Sequence, residues 1–240
     1  MLAVSSETMS YYYPDWDTLG VELYDWIHEL VPAEAHVLDL GAGGGVSDMR
    51  NLKPHFANVC AVDIDPIVLD NQCAHEAKQL NEDCTIPYPD ESFDAAMSDY
   101  VFEHLEVPED SLREMARVLK PGGKFFYRTI NRWHYLCILG RCMPKKCSAY
   151  LADRLGHQPT EAAKTHETWY RLNSKTQISR AAAAAGMRIG AYKTHEAEPV
   201  YFQLFAPAWY IGVLMERCAN ACPLFAPWRV NLYGYLEKMP

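Results

Sequence analysis

Short apolar runs alternate with amphipathic stretches through the first half of the chain. Four of the runs are brief, apolar and bounded by turn-forming residues, which predicts β-strands over 36–40, 58–64, 92–98 and 124–129. The stretches between them carry apolar residues at helical spacing, which predicts helices over 17–30, 46–52, 66–80 and 109–119. Strands that alternate with helices predict a parallel sheet covered on both faces, with ligands outside the carboxyl ends of its strands.

The second half continues less regularly. A helix is predicted over 174–185, ended by Gly186, followed by strands over 187–194 and 230–236. The connection over 132–169 mixes aromatic and basic residues and is longer than a compact core needs, so we interpret it as a cap over an acceptor pocket.

Composition and charge limit the class of protein. With 240 residues, 49% of them hydrophobic, the chain is long enough for one substantial domain. We divide this domain into an N-terminal arm and helix (1–35), a core (36–130), a cap insertion (131–172) and a C-terminal part (173–240). The formal net charge of −9 argues against a nucleic-acid partner.

Targeting segments and metal ligands are not evident in the sequence. The N-terminus lacks the pattern of a secretory signal, and no apolar window is long enough to span a bilayer, so we expect a cytoplasmic protein without a transmembrane segment. None of the eight cysteines forms a C-x2-C pair, so we expect free thiols and no metal site.

The segment VLDLGAGGG, at 37–45, places Asp39 two residues ahead of a glycine-rich turn. A dinucleotide oxidoreductase would need a glycine where Val46 stands, which disfavours a nicotinamide cofactor. Glycines allow close approach of the backbone to a ligand, and the acidic Asp63 after the second strand can accept both hydroxyls of a ribose. The turn therefore favours a ligand that contains a ribose.

Four blocks carry a resemblance to a known family: VLDLGAGGG, AVDIDP, IPYPDESFDAAMSDYVFEHL and EMARVLKPGGKFFYRT. In their order and spacing over 37–129 they resemble the class I S-adenosylmethionine-dependent methyltransferases of the small-molecule type. The resemblance implies an α/β fold with a Rossmann-like, seven-stranded, mostly parallel sheet, helices on both faces, an antiparallel edge hairpin and a helical cap insertion. It implies S-adenosylmethionine as cofactor and S-adenosylhomocysteine as product.

The resemblance also implies roles for individual residues. The turn would pass beneath the methionine part of the cofactor, with Asp39 at its amino group, Asp63 at the ribose, Ile64 against the adenine and Ser98 beside the methionine. The turn residues are Gly41, Ala42, Gly43 and Gly45, and the adenine edge would be capped by Glu82 and Asp83. The family's usual small residue and aspartate before that edge are Asn81 and Glu82 here. In the alternative interpretation, Asp39 and Asp63 only cap helices and turns.

Methyl transfer needs a base only if the acceptor loses a proton. His104, after the third predicted strand, is our candidate base; alternatively it only begins a helix. Tyr11 and Tyr13, in an N-terminal arm that can fold over the cofactor, are further catalytic candidates, although ordinary packing explains them equally well. For the acceptor we single out three consecutive residues whose aromatic faces and guanidinium could hold an anionic group: Trp169, Tyr170 and Arg171.

The segment over 199–215 carries no charge but is too short to span a bilayer. It is interpreted as a buried element, a subunit interface or an interfacial membrane contact.

The sequence as a whole predicts a methyltransferase, monomeric or homodimeric, that acts on a small or lipid-like metabolite. The alternatives are a peripheral membrane methyltransferase of a quinone, lipid or lipid-linked sugar, and a protein that binds S-adenosylmethionine without turnover.

Overall fold

A computed structural model describes residues 3–14, 21–45, 51–81, 85–142 and 167–240 of the chain. The chain divides into two compact units. The helical unit comprises Met1–Leu19, Ile130–Thr168 and Thr194–Leu232, and the sheet unit comprises Gly20–Thr129, Trp169–Lys193 and Tyr233–Pro240. The single domain over 1–240, with its four segments, stays a prediction.

Seven strands form one sheet in the order β3-β2-β1-β4-β5-β7-β6. They are β1 (His36–Leu40), β2 (Asn58–Asp63), β3 (Glu76–Gln79), β4 (Phe93–Asp99), β5 (Leu119–Ile130), β6 (Met187–His195) and β7 (Asn231–Lys238). β1 pairs in parallel with β2 and β4, and the pairs β2–β3 and β4–β5 are parallel as well. The carboxyl ends of these five strands therefore meet at one edge of the sheet, as the predicted Rossmann-like architecture requires.

β6 and β7 form the predicted antiparallel hairpin. The amide of Met239 donates to the carbonyl of Gly186 at 3.0 Å. Further along, Gly190 lies against Tyr235, and Gly234 lies against Ala191. Residue numbers rise along one strand as they fall along the other, which is an antiparallel register. The mostly parallel seven-stranded sheet is confirmed.

The core of the sheet unit lies where β1, β2 and β4 meet the helix α2 (Val21–Leu30). The helix contributes Leu23, Tyr24 and Ile27, whose spacing of three to four residues places them on one face. Against them pack side chains of the central strands, which include Val37 and Met97. Each fully buried Leu, Ile or Met contributes about 1.5–3 kcal/mol relative to the exposed side chain. Burial of these faces is what aligns the strand ends.

Two further helices of the sheet unit agree with the sequence prediction. The helix α3 (Pro108–Val118) begins with a proline, which is favoured in the first helical turn because its missing N–H is not needed there. The helix α5 (Lys175–Ala184) is capped by the hydroxyl of Ser174, which accepts from the amide of Gln177, and Gly186 follows at a φ of 71°.

The predicted helix over 66–80 is wrong. Pro66–Asp70 is a short 3-10 helix, and Glu76–Gln79 is the edge strand β3. Asn71 explains the change, because its Oδ1 accepts from the amide of Cys73 at 2.8 Å and its Nδ2 donates to the carbonyl of Gly43 at 3.1 Å. Such bonds from side chain to backbone compete with helix formation.

Two other predicted helices fall partly outside the described residues. The prediction over 17–30 is met by α2 from Val21 onward, and 17–20 lie outside the description. Of the prediction over 46–52, residues 46–50 lie outside it, and Asn51 and Leu52 are not helical. The strand predicted over 124–129 is longer, since β5 already begins at Leu119, with a register irregularity opposite Phe93 and Ala95.

The helical unit contains the helices α1 (Ser6–Tyr12), α4 (Tyr135–Cys142) and α6 (Ala206–Ala221) and the 3-10 helices Val200–Phe202 and Pro223–Trp228. Its small core is built on Trp209, which is fully buried. The rings of Tyr12 and Tyr13 lie 5.3 and 6.2 Å from the Trp209 ring, both edge-on. The uncharged segment over 199–215 is therefore buried on one side.

Candidate functional site

The turn after β1 is held in a shape that only glycine adopts easily. Gly41, Gly43 and Gly45 have φ angles of 74°, 51° and 100°. A Cβ on Gly41 would lie 2.3 Å from Cγ2 of Val101, so this glycine is needed for packing. No atom of the described residues would lie within 4 Å of a Cβ on Gly43. The backbone at Gly43 therefore faces open space in which a ligand can approach it.

Asp63, at the end of β2, fastens this turn. Its Oδ2 accepts from the amide of Gly43 at 2.8 Å, and its Oδ1 accepts from the amide of Asp65 at 2.9 Å. Asp65 in turn caps the following 3-10 helix, because its carboxylate accepts from the amide of Ile67. A carboxylate oxygen can accept more than one hydrogen bond, so both oxygens of Asp63 keep capacity for hydroxyls of a ligand.

Asp39 lies in β1 directly before the turn and is partly buried. Burial raises the pKa of its carboxyl to about 7, and the nearby charges of Asp99 and Asp63 raise it further in the same direction. Three carboxylates thus lie near each other at the ends of β1, β2 and β4. A cationic ligand group at this edge would favour the ionised form of Asp39.

Ser98 is the residue of β4 that was predicted beside the methionine part of the cofactor, and this role stays a prediction. The Ser98 side chain is fully buried, and among the described residues its hydroxyl has no hydrogen-bond partner. The next residue, Asp99, lies directly after it and is half-buried. Since side chains alternate along a strand, the two point to opposite faces. An orphaned hydroxyl beside the turn is consistent with a ligand group that completes it.

Asp99 is paired with Arg128, its neighbour in the register of β4 and β5. Nε of Arg128 donates to Oδ1 of Asp99 at 2.6 Å, and Nη2 donates to Oδ2. Burial lowers the pKa of Arg128, but the hydrogen bonds to Asp99 outweigh it and raise the net value. Our sequence analysis missed both residues. A charged residue inside the apolar run FFYRT, and an acid directly after a strand, are signals that could have identified them.

His104 is the last residue of the short 3-10 helix Phe102–His104 that follows β4, so its position after the predicted strand agrees with the sequence. The side chain is partly exposed. Its neighbour Glu103 is buried, with its Oε2 accepting from the hydroxyl of Thr129 at 2.9 Å. Burial raises the pKa of Glu103 to about 7. His104 as a base stays a prediction.

Trp169, Tyr170 and Arg171 lie in the sheet unit beside this helix. The amides of Trp169 and Tyr170 both donate to the carbonyl of Glu103, at 2.7 and 3.3 Å. Arg171 donates to the carbonyl of Glu106, and its guanidinium lies 4.7 Å from the centre of the Trp169 ring. The three residues are thus fastened to the segment that carries His104, and their role toward an acceptor stays a prediction.

Of the residues predicted to contact the adenine, the structure describes Ile64 but not Glu82 and Asp83. Ile64 follows Asp63 with 44% of its surface exposed, so an apolar face is available there for a planar ring. Glu82 and Asp83 lie outside the described residues. The segment that follows them is fastened by Arg117, which donates to the carbonyls of Ile86 and Tyr88, each at 2.9 Å.

The N-terminal tyrosines belong to the helical unit. Tyr11 is 82% exposed. Tyr13 is buried, and its hydroxyl donates to Glu216 at 3.2 Å. Burial, followed by the charge of Glu216, raises the pKa of Tyr13 well above its ordinary value, so the phenol stays protonated. Within this unit Tyr13 acts as a packing residue, and the catalytic role of both tyrosines stays a prediction.

The helical unit also holds a buried ionisable pair that the sequence analysis missed. Nε2 of His134 lies 3.0 Å from Oε1 of Glu196, whose Oε2 accepts from the amide of Val230 at 2.8 Å. Within the described part of the chain, Nδ1 of His134 has no hydrogen-bond partner. An ionised carboxylate can only accept, so Nε2 of His134 is the donor when Glu196 is ionised.

Within the described ranges, no group of three or more His, Cys, Asp or Glu side chains could hold a metal ion. No described helix is long and apolar enough to cross a membrane. Six of the described cysteines form no disulfide bond: Cys60, Cys73, Cys137, Cys142, Cys218 and Cys222.

Comparison with known proteins agrees with this geometry. A family described as a methyltransferase domain matches residues 38–127. A ubiquinone biosynthesis O-methyltransferase of Coxiella burnetii is 38% identical over 104 residues, which are 40% of this chain and 44% of that protein. The chain thus covers less than half the length of this relative.

Solved structures share the fold over most of the chain. An S-adenosylmethionine dependent methyltransferase from Mesorhizobium loti matches with a TM-score of 0.61 at 14% identity, over 93% of this chain and 100% of that one. A geranyl diphosphate C-methyltransferase from Streptomyces coelicolor A3(2) matches with a TM-score of 0.60 at 15% identity, over 98% and 85% of the two chains. At these identities the likeness concerns the fold alone.

Proposed function

We propose that the protein transfers a methyl group from S-adenosylmethionine to an oxygen of a small, lipid-like metabolite, since residues 38–127 match a methyltransferase domain. The observation that carries the proposal is the turn after β1, whose Gly43 faces open space and is fastened to Asp63. The turn fits a ligand that combines a ribose with a cationic amino-acid part.

The turn and the residues near it would each contact a different part of the cofactor. The glycine backbone lies beneath the methionine part, Asp39 accepts from its amino group, Asp63 accepts from the ribose hydroxyls, and Ile64 packs against the adenine. S-adenosylmethionine, when bound, supplies a methyl group already activated on a sulfonium. The protein has mainly to align the acceptor with that methyl group and to exclude water.

The acceptor class is supported by a relative and by charge. The Coxiella burnetii relative is named as a ubiquinone biosynthesis O-methyltransferase, which supports an oxygen atom as the acceptor. The net charge of −9 argues against nucleic acid as the acceptor. A hydroxyl acceptor must lose its proton, and His104 is the proposed base, positioned by the 3-10 helix after β4.

The proposal is tested by transfer of a deuterated methyl group from S-adenosylmethionine to alkylated catechols and to a lipid extract, with mass spectrometry of the products. Two variants form a matched pair, since Gly43 and Gly122 both have positive φ and open space at the Cβ position, and asparagine tolerates that backbone. We expect Gly43→Asn to abolish labelling and Gly122→Asn to retain it.

Two outcomes contradict the proposal. Equal labelling by both variants would show that the turn does not hold the cofactor. Binding of S-adenosylmethionine by the unaltered protein, without label in any hydroxylated acceptor, would favour the alternative of a protein that binds the cofactor without transfer.

A second candidate, a peripheral membrane methyltransferase, is favoured by the outward face of α6. This face carries large apolar side chains at helical spacing, each about half exposed or more: Tyr210, Ile211, Leu214 and Met215. The next two residues of the helix are charged, but both contact other groups of the unit. Glu216 accepts hydrogen bonds from Tyr13 and Asn220, and the guanidinium of Arg217 lies over the ring of Tyr12. An uncharged aromatic and aliphatic face of this kind is suited to the interface of a bilayer.

Flotation with neutral phosphatidylcholine vesicles tests this candidate. We expect Leu214→Ser to reduce the floating fraction severalfold. Leu69→Ser is the matched control, because Leu69 in the sheet unit is 58% exposed and Leu214 is 63% exposed. Absence of the unaltered protein from the floating fraction, or equal losses in both variants, would reject membrane contact through α6. A concentration-dependent dimer that Leu214→Ser disrupts would assign the face to a second copy of the chain.

A further inference from the structure

Tyr100 lies at the same sheet edge as the glycine turn. Leu40 pairs with Ser98 in the register of β1 and β4, so Gly41 and Asp99 are the first residues beyond this pair. Val101 then packs against Gly41 so closely that no Cβ fits between them. Tyr100 stands between Asp99 and Val101 and therefore lies beside the turn proposed to hold the cofactor.

The backbone at Tyr100 is in an unfavourable conformation. Its φ is 58°, in the left-handed region that tyrosine rarely adopts. The amide of Tyr100 donates to the carbonyl of Arg128 at 2.9 Å, which helps to hold this conformation. Strained residues of this kind persist where the surrounding structure holds them, and they cluster at functional sites.

Arg128 holds both Asp99 and Tyr100. Its guanidinium forms the two hydrogen bonds to the Asp99 carboxylate and lies 4.7 Å from the centre of the Tyr100 ring. The Arg128 side chain is only 6% exposed, so the arrangement is fixed by packing. The Asp99 carboxylate offsets the positive charge of the Arg128 guanidinium. The Tyr100 ring therefore keeps the capacity to attract a cation in addition to Arg128.

The side chain of Tyr100 is exposed to solvent at this edge. Tyr100 is 38% exposed, whereas the side chains of Ser98 and Phe102 on either side are fully buried. Tyr100, held by Arg128, therefore presents an aromatic ring at an edge that already carries the carboxylates of Asp39 and Asp63. An aromatic face and several carboxylates together attract a positive charge.

We propose that Tyr100, held by Arg128 and Asp99, recognises the sulfonium of the methyl donor and so distinguishes S-adenosylmethionine from the neutral sulfide of S-adenosylhomocysteine. The inference rests on the methyl donor of the proposed function and is independent of the acceptor. Tyr100 is the contact residue, and Arg128 is a positioning residue. Preference for the charged form favours release of the spent cofactor after transfer.

Calorimetry with the full chain tests the inference without any acceptor. Tyr100→Asn removes the ring, and asparagine tolerates the left-handed backbone, so we expect this variant to fold with unchanged or higher melting temperature. Its affinity for S-adenosylmethionine should fall about fivefold or more, the range of a partly desolvated cation–π contact, while affinity for S-adenosylhomocysteine changes less than about twofold. Tyr100→Phe keeps the ring and should preserve the ratio of the two affinities.

Two further measurements test whether the positive charge of the ligand and the position of the Tyr100 ring account for the loss of affinity. Sinefungin, which carries an amine where the donor carries its sulfonium, should lose affinity in Tyr100→Asn as S-adenosylmethionine does. Arg128→Lys, which keeps the charge but not the two-pronged contact, should lower the same ratio in a protein whose circular dichroism is unchanged.

The results that overturn the inference differ from those that overturn the proposed function. Equal losses for both ligands in Tyr100→Asn, or no loss for either, would reject sulfonium recognition while leaving the methyl donor in place. Failure of the unaltered protein to bind either ligand would reject the methyl donor itself, and the inference with it.

Discussion

The two units differ in what their partly exposed surfaces offer. At the carboxyl ends of β1, β2 and β4 in the sheet unit, polar side chains are bound to the backbone or to each other, as Asp63 is to Gly43 and Asp99 to Arg128. On α6 of the helical unit the side chains that meet solvent are apolar, and Glu216 is turned to Tyr13 and Asn220.

This difference indicates two kinds of partner. A ligand of one shape and charge is recognised by polar groups that are fixed before it arrives, since their ordering then costs nothing on binding. A fluid or variable surface needs only apolar area. This difference agrees with the two proposals that the sheet unit holds a defined cofactor and that the outward face of α6 meets a lipid-like environment.

The largest effect is expected on the buried side of α6. Trp209→Ala should lower the free energy of unfolding by about 3–5 kcal/mol, because it removes the largest side chain of the helical core. Leu214→Ala, on the outward side of the same helix, should change it by less than about 0.5 kcal/mol. Urea denaturation followed by circular dichroism compares the two. Similar effects would mean that the outward face is covered in solution.

The next effect concerns the fixed polar groups. Asp63→Ala should weaken S-adenosylmethionine binding by about 1.5–3 kcal/mol, the range for hydrogen bonds to a charged group. Asp65→Ala is the matched control, since Asp65 also accepts from a backbone amide but is given no role toward the ribose. Titration calorimetry measures both. Unchanged affinity in Asp63→Ala would reject the ribose assignment.

A third effect separates acceptor binding from cofactor binding. Arg171→Ala should lower methyl transfer about tenfold or more and leave the cofactor affinity within about threefold, as loss of acceptor positioning does. Trp169→Ala and Tyr170→Ala should behave alike if the three residues act together. If Arg171→Ala alters neither quantity and Trp169→Ala lowers only the melting temperature, the stretch is structural.

The smallest effect is a pH dependence. Asp39 has a pKa of about 7 in the ligand-free protein, and a cationic ligand favours its ionised form, so binding releases a proton and affinity rises with pH. Between pH 6 and 8 the affinity for S-adenosylmethionine should increase by up to about tenfold, as the ionised fraction rises. Asp39→Asn should bind more weakly and lose this slope. A slope equal to that of the unaltered protein would assign the titration to another group, such as Glu103.

Much of the sheet unit could be predicted because its signals are local. The strands of the core and the helices α3 and α5 follow from periodicity and capping residues, and the turn follows from glycines at the end of a strand. The prediction failed at 66–80, where Asn71 bonds to backbone groups of the glycine turn. Nothing in the local pattern reveals that contact, which is made to residues nearly thirty positions earlier.

The sequence by itself determined most of the strands and helices in their order along the chain, though not β3, together with the place of the glycine turn and the acid at the end of β2, because these depend on side-chain spacing and on the φ angles that Gly41, Gly43 and Gly45 allow. Only the tertiary structure decided that Asp99, the residue after Ser98, is paired at the sheet edge with Arg128. That pairing arises from the register of β4 and β5, which joins residues distant in the chain. The pKa of Asp39 is likewise set by burial and by neighbours on other strands, which no local pattern contains.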